Sequence, residues 1–175
     1  GQYSIQGPGR RWTLEQADSV INEASLKGRN FETGKLIYSA VLCSKCHTIA
    51  GEGENAGPDL TQLATRFSTK DILEAIIDPN KAISDQYAAT VFSLKDGGSI
   101  VGRLANEDAT HYYVAQNPFT PDEHHKIAKK DVVSTAFSTV SVMLPGLING
   151  LNPEELKDLM AFLMAGGNKE NPIYK

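Results

Sequence analysis

Cys43-Ser44-Lys45-Cys46-His47 is a C-x-x-C-H run, and its two thiols are the only cysteines in the 175-residue chain. Two thiols three positions apart can each add to one vinyl group of a single porphyrin, and the adjacent histidine then falls beneath the iron as its proximal ligand. The run therefore predicts one haem c, bound covalently through Cys43 and Cys46, with His47 on the metal. Other readings compete with it. A redox dithiol needs no histidine and sits where a strand runs into a helix, whereas Gly34 to Leu42 reads as helix. A structural zinc site normally wants a second pair of Cys or His ligands at short spacing, and the chain has no second C-x-x-C. A Cys43–Cys46 disulfide would be strained.

Upstream of the run, Asn30 can cap a helix from Phe31 to about Val41 that delivers the chain into the cysteines, with Gly34 and Tyr38 four apart on one face. Before that, Thr13 and Gln16 form a capping-box pattern for a helix over Trp12 to Lys27, with Leu14, Ala17, Ile21 and Ala24 at helical spacing and Gly28 as its stop. Downstream lies a glycine-rich loop, Ile49 to Leu60, whose sparse side chains suit a backbone passing close to a flat cofactor. Ser68 and Thr69 then open a short helix that presents Ile72, Leu73, Ile76 and Ile77, and Asp78-Pro79-Asn80 ends it.

From Tyr87 to about Phe137 the pattern turns strand-like. Thr90 to Leu94 and Ser99 to Leu104 flank a turn at Asp96-Gly97-Gly98, another strand covers His111 to Ala115, and one or two more lie between Lys126 and Phe137. Helix resumes at the end: Asn152 caps, Pro153 takes the first position, Glu155 completes the box, and Leu156, Leu159, Met160 and Leu163 form the buried stripe before Gly166-Gly167. The expected class is mainly α. An N-terminal extension over 1–30 carries an amphipathic helix, and a helical domain over 31–175 is interrupted at about 87–138 by a small antiparallel sheet or barrel.

At 41% hydrophobic content the chain can bury a sizeable core. No run approaches the eighteen or so apolar residues of a transmembrane helix, and Gly1-Gln2-Tyr3-Ser4 has neither the basic start nor the apolar stretch of a signal peptide. Covalent haem is attached outside the bacterial cytoplasm, so the expected location is periplasmic or otherwise extracytoplasmic, with the sequence beginning after processing or at a boundary within a larger protein. A net charge of −4 argues against nucleic acid as a partner.

Together, Cys43-x-x-Cys46-His47, Gly57-Pro58-Asp59-Leu60, Ile77-Asp78-Pro79, Tyr87, Asp96-Gly97 followed by Gly102, Ser141-Val142-Met143 and the closing helix resemble a class I c-type cytochrome. Within that class the sequence is most similar to the haem-binding domain of Planctomycetes and Verrucomicrobia, often found at the C-terminal end of large proteins with dehydrogenase propellers. The resemblance spans roughly Phe31 to Gly166 and implies a cytochrome c-like helical core. It also implies that the Pro58 carbonyl, in the Gly57-Pro58 turn, accepts from the second ring nitrogen of His47. A proline suits that role, since it rigidifies a carbonyl and brings no competing donor. Two departures stand out. Members of the group usually place proline directly after the ligand methionine, but here Leu144 precedes Pro145. Tyr38 also sits five before Cys43, one more than in the compact mitochondrial pattern, which implies an adjustment of the first helix.

The sixth iron ligand has several candidates: Met143, Met160, Met164, His111, His124 and His125. Met160 lies on the apolar stripe of the closing helix and reads as core. His111 opens a strand, and His124-His125 follow Pro121 in a polar loop. Met143 lies in an irregular segment backed by Pro145 and Gly146, which can aim a thioether at iron. Gly34 with Tyr38, against Leu159 with Phe162 or Leu163, would make a close helix crossing. Trp12 has two readings, a core residue or a contact to a haem propionate. The expected function is single-electron transfer with a dehydrogenase or another cytochrome, and no enzymatic activity of the chain's own. Alternatives are a catalytic or sensory haem with a labile sixth ligand, and an electron-accepting module of a larger dehydrogenase. The strands, with Tyr112, Tyr113, Phe119 and Lys126, Lys129 and Lys130, could add a partner-binding face.

Overall fold

The computed structural model describes residues 2–175. Five α-helices lie at Leu14–Val20 (α1), Glu23–Leu26 (α2), Phe31–Ala40 (α3), Thr69–Ile77 (α4) and Pro153–Met164 (α5). The strands are Thr48–Ile49 (β1), Glu52–Gly53 (β2), Thr90–Leu94 (β3), Ser99–Glu107 (β4), His111–Ala115 (β5), His125–Ala128 (β6) and Val132–Phe137 (β7). The expectation of a mainly α chain is overturned: the protein is 31% helical and 19% strand, with a five-stranded antiparallel sheet and a two-stranded one. Helix signals are conspicuous because each helix carries its cap in sequence, yet the longest spans only twelve residues.

The residues form two compact units, one running up to Pro79 and resuming over Leu144–Lys175, the other spanning Asn80–Met143. In the first unit the caps fall where local chemistry puts them. Thr13, Ser68 and Asn152 close capping boxes with Gln16, Asp71 and Glu155, and Asn30 accepts from the Thr33 N–H. The long first helix expected over Trp12 to Lys27 is instead two helices. Ile21 adopts extended backbone, and Asn22 with Ser25 builds a fresh capping box that restarts the chain as α2.

The core of this unit is the crossing of α3 and α5. Gly34 makes it possible: a Cβ there would stand 2.4 Å from the Asp158 carbonyl oxygen and 3.0 Å from the Phe162 Cβ. Around it lie Ile37, Tyr38, Leu156, Leu159, Met160 and Phe162, all 3% exposed or less. The rings of Tyr38 and Phe31 pack on Phe162 with centroids 5.1 and 5.5 Å away. Arg29 clasps the same helix from outside, with Nε 2.8 Å from Asp158 Oδ1 and Nη1 2.9 Å from Glu154 Oε2. Trp12 belongs to the core, 3% exposed, its indole N–H donating to the Leu151 carbonyl.

The segment before α1 is fastened to the start of α5 through Glu155, a carboxylate only 4% exposed. It accepts from the Tyr3 hydroxyl, from the N–H groups of Gln6 and Gly7, and from that of Asn152. Burial alone would raise its pKa. These donors outweigh burial and hold the group below the usual value of 4.5. Because the folded-state value is depressed, the stabilisation is present above the unfolded value and lost as pH falls through the folded one. Glu155→Gln, which keeps one acceptor oxygen, should cost about 2 kcal/mol at neutral pH. Chemical denaturation of both proteins at pH 7 and in steps below pH 4.5 checks this: the gap should close on acidification.

The second unit is the five-stranded sheet, in the order β6-β5-β4-β3-β7, antiparallel throughout. The β3–β4 hairpin forms over the predicted turn, with Ser93 opposite Ser99. Phe92, Val114 and Ile127 form its core, and the rings of Phe92 and Tyr112 meet at 5.0 Å. β6 and β7 occupy opposite edges, yet only the 3₁₀ turn Lys129–Asp131 joins them. In a flat sheet those edges would stand about 19 Å apart, four spacings of about 4.8 Å. The four steps from Ala128 to Val132 reach at most about 14 Å. The sheet therefore curls on itself into a small, partly open barrel.

Candidate haem-attachment site

α3 delivers the chain into the C-x-x-C-H run by a short detour. The α-helix ends at Ala40, Leu42 takes left-handed backbone at φ 73°, and Cys43–Lys45 form a 3₁₀ turn. The chain thus turns at Leu42 before reaching Cys43, in a conformation that costs a non-glycine residue about 1–2 kcal/mol. The turn then closes on itself, the His47 N–H donating to the Cys43 carbonyl at 2.9 Å.

Cys43 and Cys46 are both free thiols. Burial pushes Cys43 up to about 12 and raises Cys46 as well. This is opposite to a redox dithiol, whose nucleophilic cysteine is held as thiolate by a lowered pKa. Nor do the described residues contain any group of three or more His, Cys, Asp or Glu placed to hold a metal ion, as a zinc site requires.

His47 is fixed from several sides. Its Nδ1 lies 2.7 Å from the Pro58 carbonyl oxygen. A carbonyl can only accept, so Nδ1 carries the proton and Nε2 is left as the ring's lone-pair donor. Burial lowers the ring's pKa by more than the Pro58 contact raises it, which favours the neutral imidazole that a metal needs. Gly57 lies against the ring: a Cβ there would be 2.7 Å from Cε1 and 3.0 Å from Nδ1. The Gly57 N–H is itself tied to the Cys46 carbonyl at 2.6 Å, so the turn cannot retreat. The donor set of two unpaired thiols and a neutral imidazole with Nε2 free fits a covalently bound haem.

Two further contacts had no sequence prediction. The loop after His47 is not wholly irregular, since β1 and β2 pair Thr48 with Gly53 and Ile49 with Glu52. Gly53, at φ 116°, brings the position of a Cβ to 2.1 Å from the His47 carbonyl oxygen, which leaves no space for a side chain. That same oxygen accepts from the Tyr38 hydroxyl at 3.2 Å. A tyrosine on the buried face of α3, where phenylalanine would pack equally well, was the available signal.

Residues 31–113 match the family model for cytochrome c. The match opens on the first residue of α3 and takes in Cys43, Cys46, His47, Gly57 and Pro58, and it supports a c-type cytochrome, with haem c as cofactor and electron transfer as its activity. Such proteins work as carriers between redox partners rather than as enzymes. No curated protein matches the chain. No helix among the described residues is long and apolar enough to cross a membrane.

The remaining candidates fall in both units. Met160 is fully buried in the α5 stripe, as expected of a core residue. Met143 closes the second unit, its N–H donating to Ser141 Oγ, while the Ser141 N–H donates to Asn80 Oδ1 at 2.6 Å. His111 Nδ1 is engaged by Thr110 Oγ1 at 2.7 Å, and His124 Nε2 lies 3.1 Å from the Pro121 carbonyl in an exposed loop.

Proposed function

We propose that the protein is a single-haem c-type cytochrome that passes one electron at a time between redox partners, with His47 and Met143 as the residues that would hold the iron. The observation that carries this reading is the His47 ring, held at Nδ1 by Pro58 with Nε2 free, directly after two unpaired thiols. Cys43 and Cys46 would hold the porphyrin as thioethers, and His47 Nε2 and Met143 Sδ would take the iron. When bound, haem supplies an iron that alternates between ferric and ferrous states. His47, held between Gly53, Gly57 and the Pro58 carbonyl, would present Nε2 to the iron in a fixed orientation. A thioether from Met143 would be the second protein ligand, favour the ferrous state and leave the metal no place for a substrate. An extracytoplasmic location, a dehydrogenase or second cytochrome as partner, and the closer likeness to the Planctomycetes and Verrucomicrobia group belong to the same proposal.

Spectra and redox titrations of Met143→Ala beside the unsubstituted protein test the assignment. The expected result is loss of the sulfur-to-iron charge-transfer band and a fall in potential. If both stay unchanged, a histidine holds the sixth position. A five-coordinate, high-spin ferrous form of the unsubstituted protein that binds carbon monoxide rapidly would overturn the carrier reading altogether.

A further inference from the structure

Tyr38 carries more chemistry than its packing needs. Tyr38 is 3% exposed and its ring packs at a tilt against Phe162 in the α3–α5 crossing, a role that phenylalanine fills without a polar atom. A hydroxyl taken out of water must find a partner or cost free energy. The partner it finds is the backbone carbonyl of His47, the residue whose ring would take the iron.

That contact completes a set. The His47 N–H is fixed by the Cys43 carbonyl at 2.9 Å, its Nδ1 by the Pro58 carbonyl at 2.7 Å, and its carbonyl by Tyr38 at 3.2 Å. The first two contacts lie within the loop that carries the ligand and move with it. Only the third reaches the helix crossing, where Ile37, Leu159 and Met160 are fully buried. We propose that Tyr38 is a positioning residue for the proximal ligand: its hydroxyl anchors the His47 backbone to the α3–α5 crossing and thereby sets the ring's orientation and the strength of its bond to Pro58. The inference rests on His47 being an iron ligand, as argued above.

An imidazole that donates firmly through Nδ1 is a more basic ligand, and this favours the ferric state. Releasing the carbonyl should let the loop relax, weaken the Pro58 contact and shift the potential upward. Tyr38→Phe keeps the ring and removes only the hydroxyl. Phe162→Leu keeps the hydroxyl and weakens the ring packing.

Both variants, matured with haem, are compared with the unsubstituted protein by redox titration, by paramagnetic NMR of the His47 ring protons and by thermal melting. The expected result is a raised potential and shifted ring resonances in Tyr38→Phe. In Phe162→Leu the melting temperature should fall while potential and ring resonances hold. Unchanged potential and resonances in Tyr38→Phe would overturn the proposal and leave the haem reading standing, as would potentials that merely follow melting temperature in both variants. If the unsubstituted protein attaches no haem under maturation conditions, both readings fall together.

Discussion

Gly57→Val is expected to strip the protein of most of its haem. The valine Cβ would arrive 2.7 Å from His47 Cε1, 3.0 Å from Nδ1 and 3.3 Å from Nε2, so it lies over the ring rather than beside it. Something must move. The Gly57 backbone is held by the Cys46 carbonyl at 2.6 Å and is followed by a proline, so the ring is the softer element. Turning it out of place forfeits the bond to Pro58, about 1 kcal/mol, and forces a strained rotamer that costs about another 1 kcal/mol. A penalty of about 2 kcal/mol corresponds to roughly a thirtyfold loss in occupancy of the competent geometry. Haem per chain, measured by absorbance after maturation, should fall steeply for valine and less for alanine. The remaining holoprotein should show an altered axial-histidine signature. Full haem content with an unshifted potential in Gly57→Val would mean that the ring is not held in this way.

Gly34→Leu should have the largest effect on stability. At an exposed helical site, replacing glycine is favourable by about 0.5–1 kcal/mol. Here the nearest atom to the new Cβ is a backbone oxygen, that of Asp158 at 2.4 Å, and no rotamer change can clear it. The two helices must separate, and the packing of Ile37, Tyr38 and Phe162 opens with them. Overpacking of this kind costs about 1–3 kcal/mol, and the lost contacts raise the total to about 4 kcal/mol. Against a typical domain stability of about 5–15 kcal/mol, the first unit would be close to unfolding. Urea titration followed by helical circular dichroism should show the helical transition displaced to much lower denaturant. Gly34→Ala tests the sign of the balance, because its gain in propensity opposes the same clash. A midpoint for Gly34→Leu equal to that of the unsubstituted chain would show that α3 and α5 can slide apart without loss.

What the sequence discloses about this molecule is chiefly local. Thr13, Asn30, Ser68 and Asn152 announce their helices because a cap and the N–H it serves lie within three residues. The hairpin at Asp96-Gly97-Gly98 is equally legible, since turn chemistry and alternation act over a few positions. The break at Ile21-Asn22 is hidden because apolar spacing runs straight through it, although Asn22 and Ser25 spell out a second cap. The mainly α expectation fails because helix signals are local and prominent, whereas the sheet is assembled from pairings up to dozens of residues apart. At the candidate site, C-x-x-C-H declared its chemistry outright. The contact of Gly57 with the His47 ring, and that of Tyr38 with its carbonyl, depend on the path of the loop and on the helix crossing. No spacing rule encodes either.

The hydrogen bond from the Ser141 N–H to Asn80 closes the second unit where its chain begins and where it is about to end. A segment whose two ends meet behaves as a detachable cassette: its removal leaves a gap that a very short joint can seal, and its addition imposes little loop-closure entropy on a host. Met143 lies two residues beyond that clasp, so any exchange of the cassette would also reset the residue proposed to complete the coordination of the iron.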